Sequence, residues 1–163
     1  IPVCCIFVIE DAADGNGAAL PGGEKRRQRG ESALEIVQPN HGEFADRNHT
    51  ARMNGGVVIK YNANQRYTSD AVSAGIFRRI CESAGVPVQY YANRADMPGG
   101  STLGNISNTQ VSLNAVDIGL AQLAMHSPFE TAGAADTASL VKALTAFFEH
   151  SLVAERDGVY RFL

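Results

Sequence analysis

Three groups of residues in this chain are of types that do chemistry. Glu10 and Asp11 are adjacent carboxylates that end the apolar run Ile1–Ile9. Arg94-Ala-Asp-Met-Pro-Gly-Gly-Ser-Thr-Leu-Gly104 is a glycine-rich loop leaving a second apolar run, and His126 closes a third in Ala124-Met-His-Ser-Pro128. Imidazole beside carboxylate oxygen is a metal-ligand set suited to zinc, manganese or cobalt. A glycine loop lets backbone N–H groups approach a ligand carboxylate or amide closely. Together with Lys60, Asp96 and Ser101, these residues stand at the ends of strand-like runs. In a parallel sheet all strands end on one side, so the pattern predicts convergence at the carboxyl edge of an open α/β sheet. Each group also has a plainer reading: solvated strand caps, a satisfied loop histidine, a tight turn.

Several site types are excluded. The glycine loop has no Gly-Lys-Ser/Thr, so it is not a P-loop, and no dinucleotide fingerprint follows a strand. There is no Cys-x-x-Cys and no Gly-x-Ser-x-Gly elbow. His126 and Glu130 are four apart, but Pro128 between them forbids the continuous helix a zinc pair would need.

The elements that must position these residues follow from periodicity. Ile1–Ile9 is unbroken, apolar and β-branched, the signature of a strand buried on both faces. Val57–Tyr61 is a second strand. Thr68-Ser69-Asp70 offers helix-capping chemistry. Val72, Ile76, Phe77, Ile80, Cys81 and Ala84 form one apolar stripe, with Arg78, Arg79 and Glu82 outward, and Gly85 with Pro87 ends that helix. Val86–Asn93 completes a βαβ unit with parallel strands. A helical turn is expected over Asn105–Val111, a strand over Ala115–Leu120 and a loop from Phe129 to Ala135. The last helix is expected to be capped by Asp136 or Thr137, with Leu140, Val141, Leu144, Phe147 and Phe148 inward. Ala154–Gly158 reads as a polar tail, and Val159–Leu163 as an edge strand.

Residues 12–55 carry turn signals at Asn40-His-Gly42 and Asn54-Gly-Gly56, a short helical pattern over Glu31–Val37 and the basic run Glu24–Arg29. They are expected to be irregular or flexible. The 163 residues suit a single α/β domain, 1–163, with a real core. The apolar fraction of 45%, charged fraction of 19% and net charge of -3 give no general attraction to nucleic acid or anionic membrane. No apolar run is long enough to span a bilayer. Three cysteines without framework spacing fit a reducing, cytoplasmic setting. The chain opens with Ile, as a processed chain or part of a longer polypeptide would.

Three segments carry a resemblance: Val57-Val-Ile-Lys-Tyr-Asn-Ala-Asn-Gln-Arg-Tyr67, Asp96-Met-Pro-Gly-Gly-Ser-Thr-Leu-Gly104 and Val116-Asp-Ile-Gly-Leu-Ala-Gln-Leu-Ala-Met-His-Ser127. In order and spacing they resemble the aspartyl aminopeptidase and aminopeptidase I family of zinc metallopeptidases, over about Asn54 to Phe148. The resemblance implies a three-layer sandwich with a largely parallel sheet flanked by helices, incomplete on its amino-terminal side. It implies peptide substrates, two zinc ions (manganese or cobalt as substitutes) and large, often dodecameric homo-oligomers. It places the last zinc ligand on His126, a substrate-contacting lysine on Lys60 and a family tyrosine on Tyr67. The substrate loop falls on Met97–Gly104, including Gly99, Gly100 and Ser101. Upstream, Glu10 would be the general base and Asp11 a zinc ligand.

This sequence departs from the family pattern at several points. Gly99 stands where Cys is usual, and Asn105 where Pro is usual. Val8 and Ile9 replace polar residues ahead of the acidic pair. Ser32 stands at a zinc-binding aspartate's position and Glu35 at a histidine's. The first zinc histidine, the bridging aspartate and the dimerisation domain have no counterpart here. The expectation is therefore a metallo-aminopeptidase-like chain that is poorly active or inactive alone. The competing expectations are an inactive relative kept for assembly, and a module binding a small carboxylate at the glycine loop.

Overall fold

The computed structural model describes residues 48–96, 102–124, 128–156 and 158–163, with the backbone of Cys5–Ile9. Its main sheet has four strands in the order β1 (Cys5–Ile9), β4 (Asn114–Gly119), β2 (Val57–Tyr61), β3 (Val88–Ala92). Between β2 and β3 runs helix α1 (Ala71–Ser83), and α2 (Leu103–Gln110) precedes β4. After β4 come a short pair β5 (Gln122–Leu123) and β6 (Thr131–Ala132), helix α3 (Ala134–Glu149) and a hairpin of β7 (Leu152–Arg156) and β8 (Val159–Phe162). The turn expected over Asn105–Val111 is thus a two-turn helix that starts at Leu103.

The sheet is mixed rather than largely parallel. β1 and β4 are parallel, as are β2 and β3, but β2 runs antiparallel to β4 with Val58 opposite Gly119 and Ile59 opposite Ile118. The sequence could not reveal this reversal. β2 and β4 are both central strands, and a strand covered on both faces is apolar throughout whichever way its neighbour runs.

One face of the sheet packs on α1 and α3. Val57, Ile59, Val116 and Ile118 meet Phe77, Cys81 and Ala143 there. The stripe foreseen for α1 is present, and Asp70 caps the helix by accepting the Ser73 N–H at 2.7 Å while Ser73 Oγ accepts the Asp70 N–H at 3.0 Å. The opposite face carries Val58, Tyr67, Tyr91 and Ala121. β2 is seated on β3 through Gly56, whose φ of +103° suits glycine, and any side chain there would run into the Pro87 carbonyl.

Helix α3 differs from expectation at its cap and in its phase. Gly133 is the cap residue, and Asp136 lies buried in the first turn. Its carboxylate reaches across to accept the N–H groups of Asn54, at 2.6 Å, and Gly56, at 2.7 Å, which satisfies two donors of the turn before β2. The inward residues are Ala143 and Ala146, with Leu140, Leu144 and Phe147 half-buried. Val141 is 61% exposed and Phe148 78% exposed, against the expected inward face. Small side chains at the contact let α3 approach α1 closely, and that rotates the bulky ones aside. β8 does not join the main sheet. It pairs with β7, and Leu152, Tyr160 and Phe162 pack against Ile76, Ile80 and Ala146.

Candidate active site

Lys60 is the least expected member of the sheet, a lysine with no exposed surface in a central strand. It points to the same face as Val58 and is paired in register with Tyr91. Desolvating an ammonium is costly, and it persists where its surroundings compensate. Part of the compensation is Tyr67, whose ring centroid lies 4.7 Å from Lys60 Nζ. Tyr67 is itself buried, at 1% exposure, and its hydroxyl has no hydrogen-bond partner among the described residues.

Asp117 holds the backbone next to Tyr67. Its Oδ2 accepts the Thr68 N–H at 2.6 Å and the Thr68 hydroxyl at 2.8 Å. The Asp117 N–H donates to Ser69 Oγ at 2.8 Å. The antiparallel pairing of β2 with β4 ends at Ile59 and Ile118, and the next residue of β4, Asp117, turns its backbone N–H and carbonyl to Ser69 Oγ instead. Sequence reading passed over Asp117. The available signal was an acid in the middle of the otherwise apolar run Ala115–Leu120.

The remaining candidates fare differently. Asp96 is exposed and bound to the Arg94 guanidinium at 2.6 Å, which holds its carboxyl below the usual range; it is not part of the Lys60 arrangement. Glu10, Asp11, Met97, Gly99, Gly100, Ser101 and His126 lie outside the described residues, as do Ser32, Glu35, the basic run and most of the irregular segment. The mixed sheet also changes the convergence argument. β1 and β4 leave the sheet on one edge, towards Glu10 and towards the segment that leads to His126, whereas β3 ends on the opposite edge, where the glycine loop begins.

The described residues alone do not fit a metal pair. No group of three or more His, Cys, Asp or Glu residues among them could hold an ion. Both buried aspartates are already engaged, Asp136 through both oxygens and Asp117 through one.

A mixed sheet backed by two helices, with a buried lysine set on a tyrosine ring, is an α/β arrangement whose family the comparisons with known proteins supply. The chain belongs to the aminopeptidase I zinc metalloprotease (M18) family, whose profile matches residues 32–148. The match thus begins upstream of Asn54. A curated relative, "Probable M18 family aminopeptidase 2" of Pseudomonas paraeruginosa (strain DSM 24068 / PA7), is 50% identical over 115 residues, covering 71% of this chain and 27% of that protein. Among solved structures, the Ape4 and Nbr1 complex aligns with a TM-score of 0.65 at 34% identity, over 69% of this chain and 22% of the other. The S. cerevesiae mApe1 dodecamer aligns with a TM-score of 0.57 at 28% identity, over 66% and 23%. The chain therefore spans about a quarter of the length of these relatives.

Proposed function

We propose that this chain forms the carboxyl-terminal part of a metallo-aminopeptidase catalytic unit, which removes the N-terminal residue of peptides with a metal-activated water. The observation that carries this reading is Lys60, buried over Tyr67 inside the family-matched segment. A buried ammonium is a complement for a carboxylate, which favours an acidic substrate side chain. Lys60 and Tyr67, with the loop residues Met97, Gly99, Gly100 and Ser101, then bind the substrate.

His126 and Asp11 are the residues that would hold zinc, with manganese or cobalt as substitutes. A bound metal lowers the pKa of its water to about 7. Glu10 accepts a proton and returns it to the leaving amine as general base and acid. The parallel register of Ile9 with Ile118 supports bringing these segments to one edge. A cytoplasmic homo-oligomer is part of the same reading, in keeping with the dodecamer named for the mApe1 structure.

The isolated chain is expected to turn over poorly. A two-metal site holds ions ~3.5–4 Å apart and needs several charged ligands. Ser32 brings no charge where the family pattern has an aspartate. That same substitution favours a second reading, in which the chain binds peptides without cleaving them.

The test is titration of the chain with an aspartyl dipeptide by calorimetry, alongside hydrolysis of aspartyl and leucyl chromogenic substrates with added zinc, manganese or cobalt. Binding weakened at least tenfold in Lys60→Ala is expected, with little turnover. A wild-type chain that binds no peptide would sink the substrate reading. Robust turnover abolished by His126→Ala would show that the ligand set is complete.

A further inference from the structure

The geometry points to Asp117 as the positioning residue that fixes Tyr67 against the Lys60 ammonium. This rests on the substrate-binding reading of that pair. Asp117 has no exposed surface, in the middle of β4. It grips the two residues that follow Tyr67 with both side chain and backbone. Oδ2 takes both Thr68 donors, at 2.6 Å and 2.8 Å. The backbone N–H and carbonyl of Asp117 both contact Ser69 Oγ, at 2.8 Å and 3.4 Å. One residue later Asp70 caps α1, so the segment from Thr68 to Asp70 is tied at every position. Tyr67 enters this segment with little backbone freedom left, and its ring lies where Lys60 needs it.

The grip is made through Oδ2, and the second carboxylate oxygen, Oδ1, is buried with no hydrogen-bond partner among the described residues. An asparagine oxygen in the place of Oδ2 would satisfy Thr68 equally well. Asp117 therefore serves the lysine through Tyr67.

The experiment reads Lys60 directly in the 163-residue chain. The face of the Tyr67 ring shifts the Lys60 ε-methylene resonances upfield, and Tyr67→Leu identifies that shift by removing it. Asp117→Ala is expected to abolish the shift. Asp117→Asn, which keeps an acceptor for Thr68, is expected to retain it. If Asp117→Ala fails to fold, Thr68→Val removes one of the two Oδ2 contacts and is expected to reduce the shift. An unchanged shift in Asp117→Ala, or in Thr68→Val where that variant stands in, overturns the clamp. Loss of the shift in a folded Asp117→Asn likewise overturns it. No substrate is present, so failure here is distinct from a wild-type chain that binds no peptide.

Discussion

Asp136 and Cys81 show how single residues are set by their surroundings. The Asp136 carboxylate is the acceptor for two N–H groups at the entry to β2, and Asn54 returns the contact by accepting the Ala135 N–H at 3.2 Å. Asp136→Ala strands both donors and should cost about 3 kcal/mol, since hydrogen bonds to a charged acceptor contribute roughly 1.5–3 kcal/mol each and are not additive. Urea unfolding of the variant measures this. Cys81 is buried, and its thiol is pushed up to about 12, first by burial and then by Glu82. Between the ordinary thiol value of 9.0 and about 12, the unfolded chain ionises this thiol while the folded chain does not. The Cys81 contribution to stability is therefore full below pH 9 and lost as pH rises towards 12. A thiol reagent at pH 8 should leave Cys81 unmodified in the folded chain and label it in urea. Equal labelling rates would contradict its burial.

At the scale of elements, α3 supplies the sharpest contrast between sequence and structure. Phe148 is exposed, so Phe148→Ala should change stability by less than about 1 kcal/mol, against the roughly 3–5 kcal/mol of a core phenylalanine. Ala146→Leu, at the contact with α1, should instead cost about 1–3 kcal/mol by overpacking. Thermal melts of the two variants separate the two helix phases. The contrast explains what was legible. α1 could be read in advance because its stripe of large side chains is also its buried face, and Asp70 caps it through a local contact. α3 could not, because its buried face is alanine and its first turn answers to Asn54 and Gly56, some eighty residues away. The motif residues Lys60 and Tyr67 were legible as site candidates from their family resemblance. Asp117 was not, because its contacts are with Thr68 and Ser69, some fifty residues away, and periodicity does not encode them.

For the molecule as a whole, the carboxyl-terminal hairpin lies beyond the family match, which ends at residue 148. Leu152, Tyr160 and Phe162 nonetheless cover Ile76, Ile80 and Ala146, and Asn114 Nδ2 donates to the Tyr160 hydroxyl at 3.1 Å. Truncation after His150 uncovers this patch and should lower stability by about 3 kcal/mol, counting roughly 1 kcal/mol for each half-buried side chain removed. Differential scanning calorimetry gives the comparison. An unchanged melting temperature would mean that the hairpin adds no stability.

The pairing of β1 with β4 has a kinetic side. β2, α1 and β3 are neighbours in sequence, whereas Cys5 must find Asn114 across more than a hundred residues of chain. Loop-closure entropy grows with separation, so β1 should dock late in folding and leave early in unfolding. Amide exchange should accordingly be faster in Cys5–Ile9 than in Val57–Tyr61. A molecule that has shed β1 presents the vacated edge of β4 with its N–H and C=O groups unpaired. Such an edge accepts a strand from any chain that offers one, and the first step towards aggregation is the same as the first step of unfolding.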